Sequence, residues 1–177
     1  MLKLILKYGA IGGVIVGALM IFLVLGPGGH LGGAMGMALG YLSMLIALTA
    51  VFVGVKKWRD DEGGGVIRFW TAFGMGLAIS MIAGVIYVFA WEAALAFSGM
   101  DFTNQYADMM IRGAHQQGLK GAALAKAIAD AEDFRRSYAD PLFRMPMTFV
   151  EIFPVGVLVS LVSALVLRNP RILAKRG

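Results

Sequence analysis

The stretch TAFGMGLAISMIAGVIYVFAW, residues 71–91, carries no charge over 21 positions and decides the fold. At about 1.5 Å of rise per residue, a helix of this length crosses the roughly 30 Å hydrocarbon core of a bilayer. Within it Ala72, Gly76, Ser80 and Gly84 recur every fourth residue. Residues four apart share one helix face, and small ones there let two backbones approach closely. The same spacing returns at Gly9, Gly13 and Gly17, at Gly32, Gly36 and Gly40, and at Gly156, Ser160 and Ala164. The sequence therefore predicts an all-α protein, an integral membrane four-helix bundle.

Composition agrees with that class. A hydrophobic fraction of 59%, 24 glycines in 177 residues and a mean hydropathy of +0.75 are wrong for a soluble globule and ordinary for membrane helices. The length suits a single membrane domain covering residues 1–177. With no cysteine, a disulfide framework, a thiolate metal site and a cysteine nucleophile are all excluded. A net charge of +5 could suggest nucleic acid, but the placement of the charges points to the lipid bilayer instead, and no nucleic-acid partner is expected.

Working outward, the apolar runs predict spans at about 8–25, 31–55, 66–97 and 148–167. Gly26-Pro27-Gly28-Gly29 ends the first, Lys56-Lys57-Trp58-Arg59 the second, and Gly99 caps the third. Lys3 and Lys7 before an apolar run resemble a signal peptide. Without a clear small-x-small cleavage site, the segment reads as a retained helix. The N-terminus, the loop after the second span and the C-terminal tail hold ten Lys and Arg against Asp60, Asp61 and Glu62. Residues 98–147 hold six bases and six acids. Cytoplasmic segments carry the basic excess, so both termini are expected inside and 98–147 outside, in a bacterial inner membrane.

Residues 98–147 show helical patterning. Phe102, Tyr106, Met109 and Met110 follow Asp101 as an N-cap, and Leu124, Ile128, Ala131 and Phe134 repeat in an Ala-rich stretch closed by Asp140-Pro141. Two short amphipathic extramembrane helices are expected, meeting near Gly118 to Gly121. They can cap the bundle, lie in the interface, or serve as a docking surface or lid.

Gly54-Val55-Lys56-Lys57-Trp58-Arg59-Asp60, followed by Gly64-Gly65-Val66-Ile67 and Phe69, resembles the bacterial membrane family called domain of unknown function 4199. Pro141-Leu142-Phe143-Arg144, Thr148-Phe149-Val150-Glu151-Ile152-Phe153-Pro154-Val155-Gly156, Tyr87 and Trp91-Glu92 fit the same pattern. The resemblance covers about residues 8–167. It implies a four-helix inner-membrane domain and brings no established activity.

Candidate polar residues are few. A carboxylate in a spanning segment is functional by default, which singles out Glu151 and Glu92. The competing reading of Glu151 is a capping box with Thr148, stapled by Met147 and Ile152. Glu92 can instead snorkel outward or pair with Arg144. If the last two spans are antiparallel neighbours, the two glutamates should share one depth near the outer end, with Arg144, Trp91 and His30 around them. His30 and His115 show neither HxxxH nor HExxH spacing, so no metal and no cofactor are expected. Lys56, Lys57 and Arg59 read as a cytoplasmic anchor or lipid-headgroup contact. Asp60-Asp61-Glu62-Gly63-Gly64-Gly65 reads as a turn, since GxxxxGK[ST] is absent. No nucleophile–base pair can be assembled, so an enzyme is not expected. The sequence points to a non-enzymatic, self-associating or accessory subunit, acting as a homo-oligomer or in a larger membrane complex. The alternative is a small oligomeric proton- or cation-coupled transporter using Glu92 and Glu151.

Overall fold

A computed structural model describes residues 1–25, 33–98 and 101–173. They form six helices: α1 (Leu2–Leu25), α2 (Gly33–Asp61), α3 (Phe69–Ser98), α4 (Phe102–Gln116), α5 (Gly121–Tyr138) and α6 (Pro141–Leu167). No strand occurs among the described residues. Four stretches are long and apolar enough to cross a membrane, Leu2–Val24, Ala38–Asp61, Phe69–Phe97 and Pro141–Leu167. The chain divides into two compact units, Met1–Ala94 with Phe149–Gly177, and Leu95–Thr148.

In the first unit the small-residue rows of α1, α3 and α6 are consumed by packing against one another. A Cβ added at Gly9 would sit 2.7 Å from Ile82 Cβ, one at Gly13 2.6 Å from Ile86 Cβ, and one at Gly17 2.9 Å from Ala90 Cβ. Both sets of numbers rise together, so α1 and α3 are parallel neighbours. On another face of α3, Gly76 meets Ser160 at 2.9 Å, Ser80 meets a Cβ at Gly156 at 2.7 Å, and Gly84 meets Ile152 at 3.5 Å. Here one number rises by four as the other falls by four, so α3 and α6 are antiparallel. The same register brings Ala72 level with Ala164, and both are fully buried. Ser80 Oγ lies 3.3 Å from Ser160 Oγ and from the Gly156 carbonyl, while Ser160 Oγ donates to that carbonyl at 2.7 Å. The hydroxyls thus satisfy one another in the dry seam, as polar groups between membrane helices must.

α2 joins through different residues. Gly12 would place a Cβ 3.3 Å from the Ala47 carbonyl, and Gly54 one 2.9 Å from Ile79 Cδ1 and 3.0 Å from Tyr8 Cβ. Met44, Leu48, Val51, Val55 and Ile79 fill the space between the helices. The expected row in α2 behaves otherwise. Among the described residues a Cβ at Gly40 would meet nothing within 4 Å. Gly36 lies within α2, and Gly32 lies outside the described residues, as do the expected Gly26–Gly29 turn and the Gly99 cap.

Four element boundaries differ from expectation. α1 begins at Leu2, placing Lys3 and Lys7 inside the helix. α2 continues through Lys56-Lys57-Trp58-Arg59 to Asp61, because Lys56 and Lys57 pair with Asp60 and Asp61 one turn on. It ends where Gly63 N–H bonds back to the Trp58 carbonyl and Gly64 adopts φ +61°. α3 then starts at Phe69 instead of Val66. α6 starts at Pro141, two turns before Thr148. Asp140 Oδ1 accepts from the Leu142 N–H at 2.9 Å and Pro141 fills the first helical position, a strong start signal. Thr148 is consequently interior, its Oγ1 donating to the Arg144 carbonyl at 3.0 Å, and the expected capping box with Glu151 does not form.

In the second unit, Asp101 Oδ1 caps α4 by accepting from the Asn104 N–H at 3.2 Å. Gly118 and Gly121, at φ +72° and +56°, make the turn into α5. Phe102, Tyr106, Phe134 and Tyr138 form a ring cluster with centroids 4.9–5.7 Å apart, and Arg144 lies over Tyr138. Ala107, Ala114 and Ala131 are buried, while Arg135 joins α5 to Asp108 of α4 at 3.0 Å.

Gly13→Leu should destabilise the bundle by about 1–3 kcal/mol, because the larger side chain drives α1 away from Ile86. Gly40→Leu should lie within about 0.5 kcal/mol of wild type. Thermal unfolding of the two variants in one detergent compares them. Equal losses would mean that the α1–α3 contact does not hold the bundle together.

Candidate functional site

The polar residues of the first unit gather at the end where α1 starts, α2 ends and α6 finishes. Arg59, in the last turn of α2, is 0% exposed. Its Nε donates to Asp60 Oδ1 at 2.7 Å, while Nη1 and Nη2 donate to the Ile172 and Leu173 carbonyls at 2.9 and 2.8 Å. The planar fork of a guanidinium suits two successive carbonyls, which an ammonium cannot match. Leu173 has φ +51°, the one non-glycine residue in the left-handed region among those described. Asp60 also accepts from Lys56 at 2.5 Å, so a single carboxylate bridges two cations. Lys57 pairs with Asp61 at 2.7 Å, and the Met1 ammonium pairs with Glu62 at 2.9 Å.

Of Lys56, Lys57 and Arg59, this geometry corrects the expectation for Arg59. Arg59 faces protein and holds the C-terminal turn, so no headgroup reaches it. Lys56 and Lys57 are half-buried and exposed respectively, each committed to an acid one turn away. Asp60-Asp61-Glu62 is the counter-charge of this end as well as the approach to a turn. The Lys-x-x-x-Asp spacing was visible in the sequence, but the carbonyl partners lie 113 and 114 residues away.

Beside this network lies an open cleft of about 360 Å³, lined by Trp58, Gly63, Val66, Ile67, Arg68 and Thr71. A smaller one of about 220 Å³ runs along Val53, Lys56, Lys57, Asp60 and Asp61. Sequence reasoning counted Arg68 only as a basic charge. Nothing local marks it as different from its neighbours.

The glutamates do not form the expected shared site. The α3–α6 register sets Ile152 against Gly84, hence Glu151 level with Val85. Glu92 lies seven residues further along α3, about 10 Å of helix rise away. Ile152, 1% exposed, faces α3, whereas Glu151 is exposed and shares its row with exposed Pro154, Leu158 and Leu165. Glu92 is half-buried near the end of α3, on the row of exposed Met81 and Val85. The expectation of similar depth assumed helices of matching ends, and α6 begins two turns earlier than its apolar run suggested. Trp91 packs against the core of the first unit. Arg144 belongs to the second unit, where its Nη1 donates to the Tyr138 carbonyl at 3.1 Å. His30 lies outside the described residues. Among the described residues no group of three His, Cys, Asp or Glu could hold a metal ion.

Fold and polar ends together define a multi-helix membrane protein built on four long apolar helices. The chain belongs to the family described as Protein of unknown function (DUF4199), whose model matches residues 7–169. No curated protein and no solved structure matches it.

Arg59→Gln should cost about 3–5 kcal/mol, the usual penalty for breaking a buried charged contact from one side. Arg59→Lys should recover little, since an ammonium cannot bridge both carbonyls. Limited trypsin digestion in detergent tests this, with faster cleavage at Arg168 and Arg171 expected in both variants. Wild-type cleavage rates would show that Arg59 does not secure the C-terminal turn.

Proposed function

We propose that this chain is a non-enzymatic subunit of a bacterial inner membrane, assembling with itself or with a larger membrane complex through the outward face of α6. The observation that carries the reading is Glu151, exposed among Val150, Pro154, Leu158 and Leu165. Glu151 precedes Leu167 by 16 residues, about 24 Å of rise, which keeps it inside a core of roughly 30 Å when the basic Arg168 marks the inner boundary. A carboxylate facing lipid there costs on the order of a few kcal/mol, and a partner helix offering a donor removes that cost. The glycine and serine rows of α1, α3 and α6 are used between those helices and leave the outward face of α6 to be covered.

The carrier reading has less behind it. Glu92 lies 23 residues beyond Phe69, about 35 Å of rise, which carries it past the hydrocarbon boundary. Two carboxylates separated in this way do not form one low-dielectric ion site. The basic end, with the N-terminus, the α2–α3 turn and the C-terminal turn, is assigned to the cytoplasm, with α4 and α5 as amphipathic helices outside the membrane. The ten-against-three excess of bases over acids at that end supports this orientation.

The absence of native cysteine makes single-cysteine tests clean. In native membranes Leu158→Cys should cross-link to a second copy or another protein, whereas Val14→Cys on α1 should not. Cross-linking equal at both positions, or absent from Leu158→Cys, would remove the α6 interface. With an impermeant thiol reagent on intact cells, Lys120→Cys should be labelled and Lys57→Cys protected until permeabilisation. The opposite pattern would invert the topology.

A further inference from the structure

We propose that the cleft between the end of α2 and the start of α3 binds the phosphate headgroup of an anionic phospholipid, with Arg68 as its cation. The charge pairing of this end is the first argument. Asp60 is bridged by Lys56 and Arg59, Asp61 is held by Lys57, and Glu62 by the N-terminal ammonium. Every acid of the turn is therefore committed. Arg68 is exposed, and among the described residues its side chain makes no ion pair or hydrogen bond. It borders a cleft of about 360 Å³ that Thr71, a hydroxyl-bearing residue, and half-buried Trp58 also line. A cation, a hydroxyl and an aromatic wall in one recess match a phosphodiester, with the guanidinium taking two of its oxygens.

The surroundings specify a lipid as the source of that phosphate. Val66, which lines the cleft, is 58% exposed, and Trp70, two residues after Arg68, is 77% exposed. Phe69, Trp70 and Phe73 form one aromatic cluster, with Phe69 and Phe73 stacked at 5.9 Å and Trp70 edge-on to Phe69 at 5.0 Å. Phe69 and Phe73 are partly buried against the core of the first unit, and exposed Trp70 beside them at the start of α3 gives acyl chains an apolar surface below a charged headgroup. Tryptophans at the level of an arginine are the arrangement found at a membrane–water interface. A free anion would use the cation and leave this surface idle. Gly63 keeps the recess in shape, because a Cβ there would stand 2.6 Å from the Val66 carbonyl. The proposal goes beyond the α6 assembly reading and does not depend on it.

Native mass spectrometry of the detergent-solubilised full chain, titrated with phosphatidylglycerol or phosphatidylcholine, measures the binding. Wild type should favour phosphatidylglycerol. Arg68→Gln should weaken phosphatidylglycerol binding about fivefold, the usual effect of one basic residue near an anionic lipid surface, and leave phosphatidylcholine unchanged. Val66→Glu, at an exposed position, should cause a similar loss by giving Arg68 an internal carboxylate. Lys3→Gln, at an exposed position of the same basic end, should have no effect, since it removes one positive charge without freeing an acid. An unchanged lipid preference in Arg68→Gln or Val66→Glu would overturn the proposal. So would an equal loss in Lys3→Gln, which would mean diffuse attraction, or displacement of the lipid by excess inorganic phosphate, which would mean a free-anion site.

Discussion

The rest of the first unit depends on how closely α3 can approach its neighbours. Lipid supplies no hydrophobic force between helices, so association must come from dispersion contacts and shared hydrogen bonds at short range. α3 meets the glycines of α1 through Ile82, Ile86 and Ala90, and the glycine and serines of α6 through Gly76 and Ser80. It reaches α2 as well, through Ile79 against Gly54. One helix thus contacts all three others, and each contact rests on a position where a larger side chain would collide. The serine hydroxyls of the α3–α6 seam remain close to carbonyl acceptors, so the small residues bring no unsatisfied polar group with them.

The basic end follows a different rule. Helices end with unsatisfied carbonyls, and in this chain a guanidinium from one helix serves the turn that follows another. Placing Arg59 away from solvent is tolerable because three of its N–H donors have acceptors and Asp60 balances the charge. Asp60 in turn engages Lys56, and Glu62 engages the N-terminus. The excess of bases over acids at this end is therefore unevenly distributed. Some cations are consumed in holding the chain together, while Arg68 is left facing outward.

The two glutamates illustrate a limit on reasoning from separate helices. Glu92 and Glu151 each fall near one end of an apolar run, which invites the idea that they meet. Depth depends on where the antiparallel helices are in register, and that was fixed by Gly76, Ser80 and Gly84 against Ser160, Gly156 and Ile152. The register places Glu151 opposite Val85, well short of Glu92. Azimuth then separates their surroundings further, because Ile152 takes the inward direction and turns its neighbour Glu151 outward.

The sequence by itself determined the class, the four apolar helices and the small-residue rows, since length, hydropathy and a four-residue period are local properties. It marked Asp101 as a cap and Gly118 to Gly121 as a turn for the same reason. Local signals were also present where the reading stopped short, as in the Lys56–Asp60 and Lys57–Asp61 spacing that prolongs α2 and the Asp140-Pro141 pair that opens α6. Tertiary structure alone decided which rows meet. The glycines of α1 could have faced α2, lipid or a second copy, and only the packed chain sets them on Ile82 and Ile86. It also decided that Arg59 is a buried clamp and that, among the described residues, Gly40 packs on nothing and Arg68 has no charged partner beside its cleft. These outcomes depend on residues distant in sequence arriving at one place, and periodicity within a single helix carries no information about its neighbour's rotation or register.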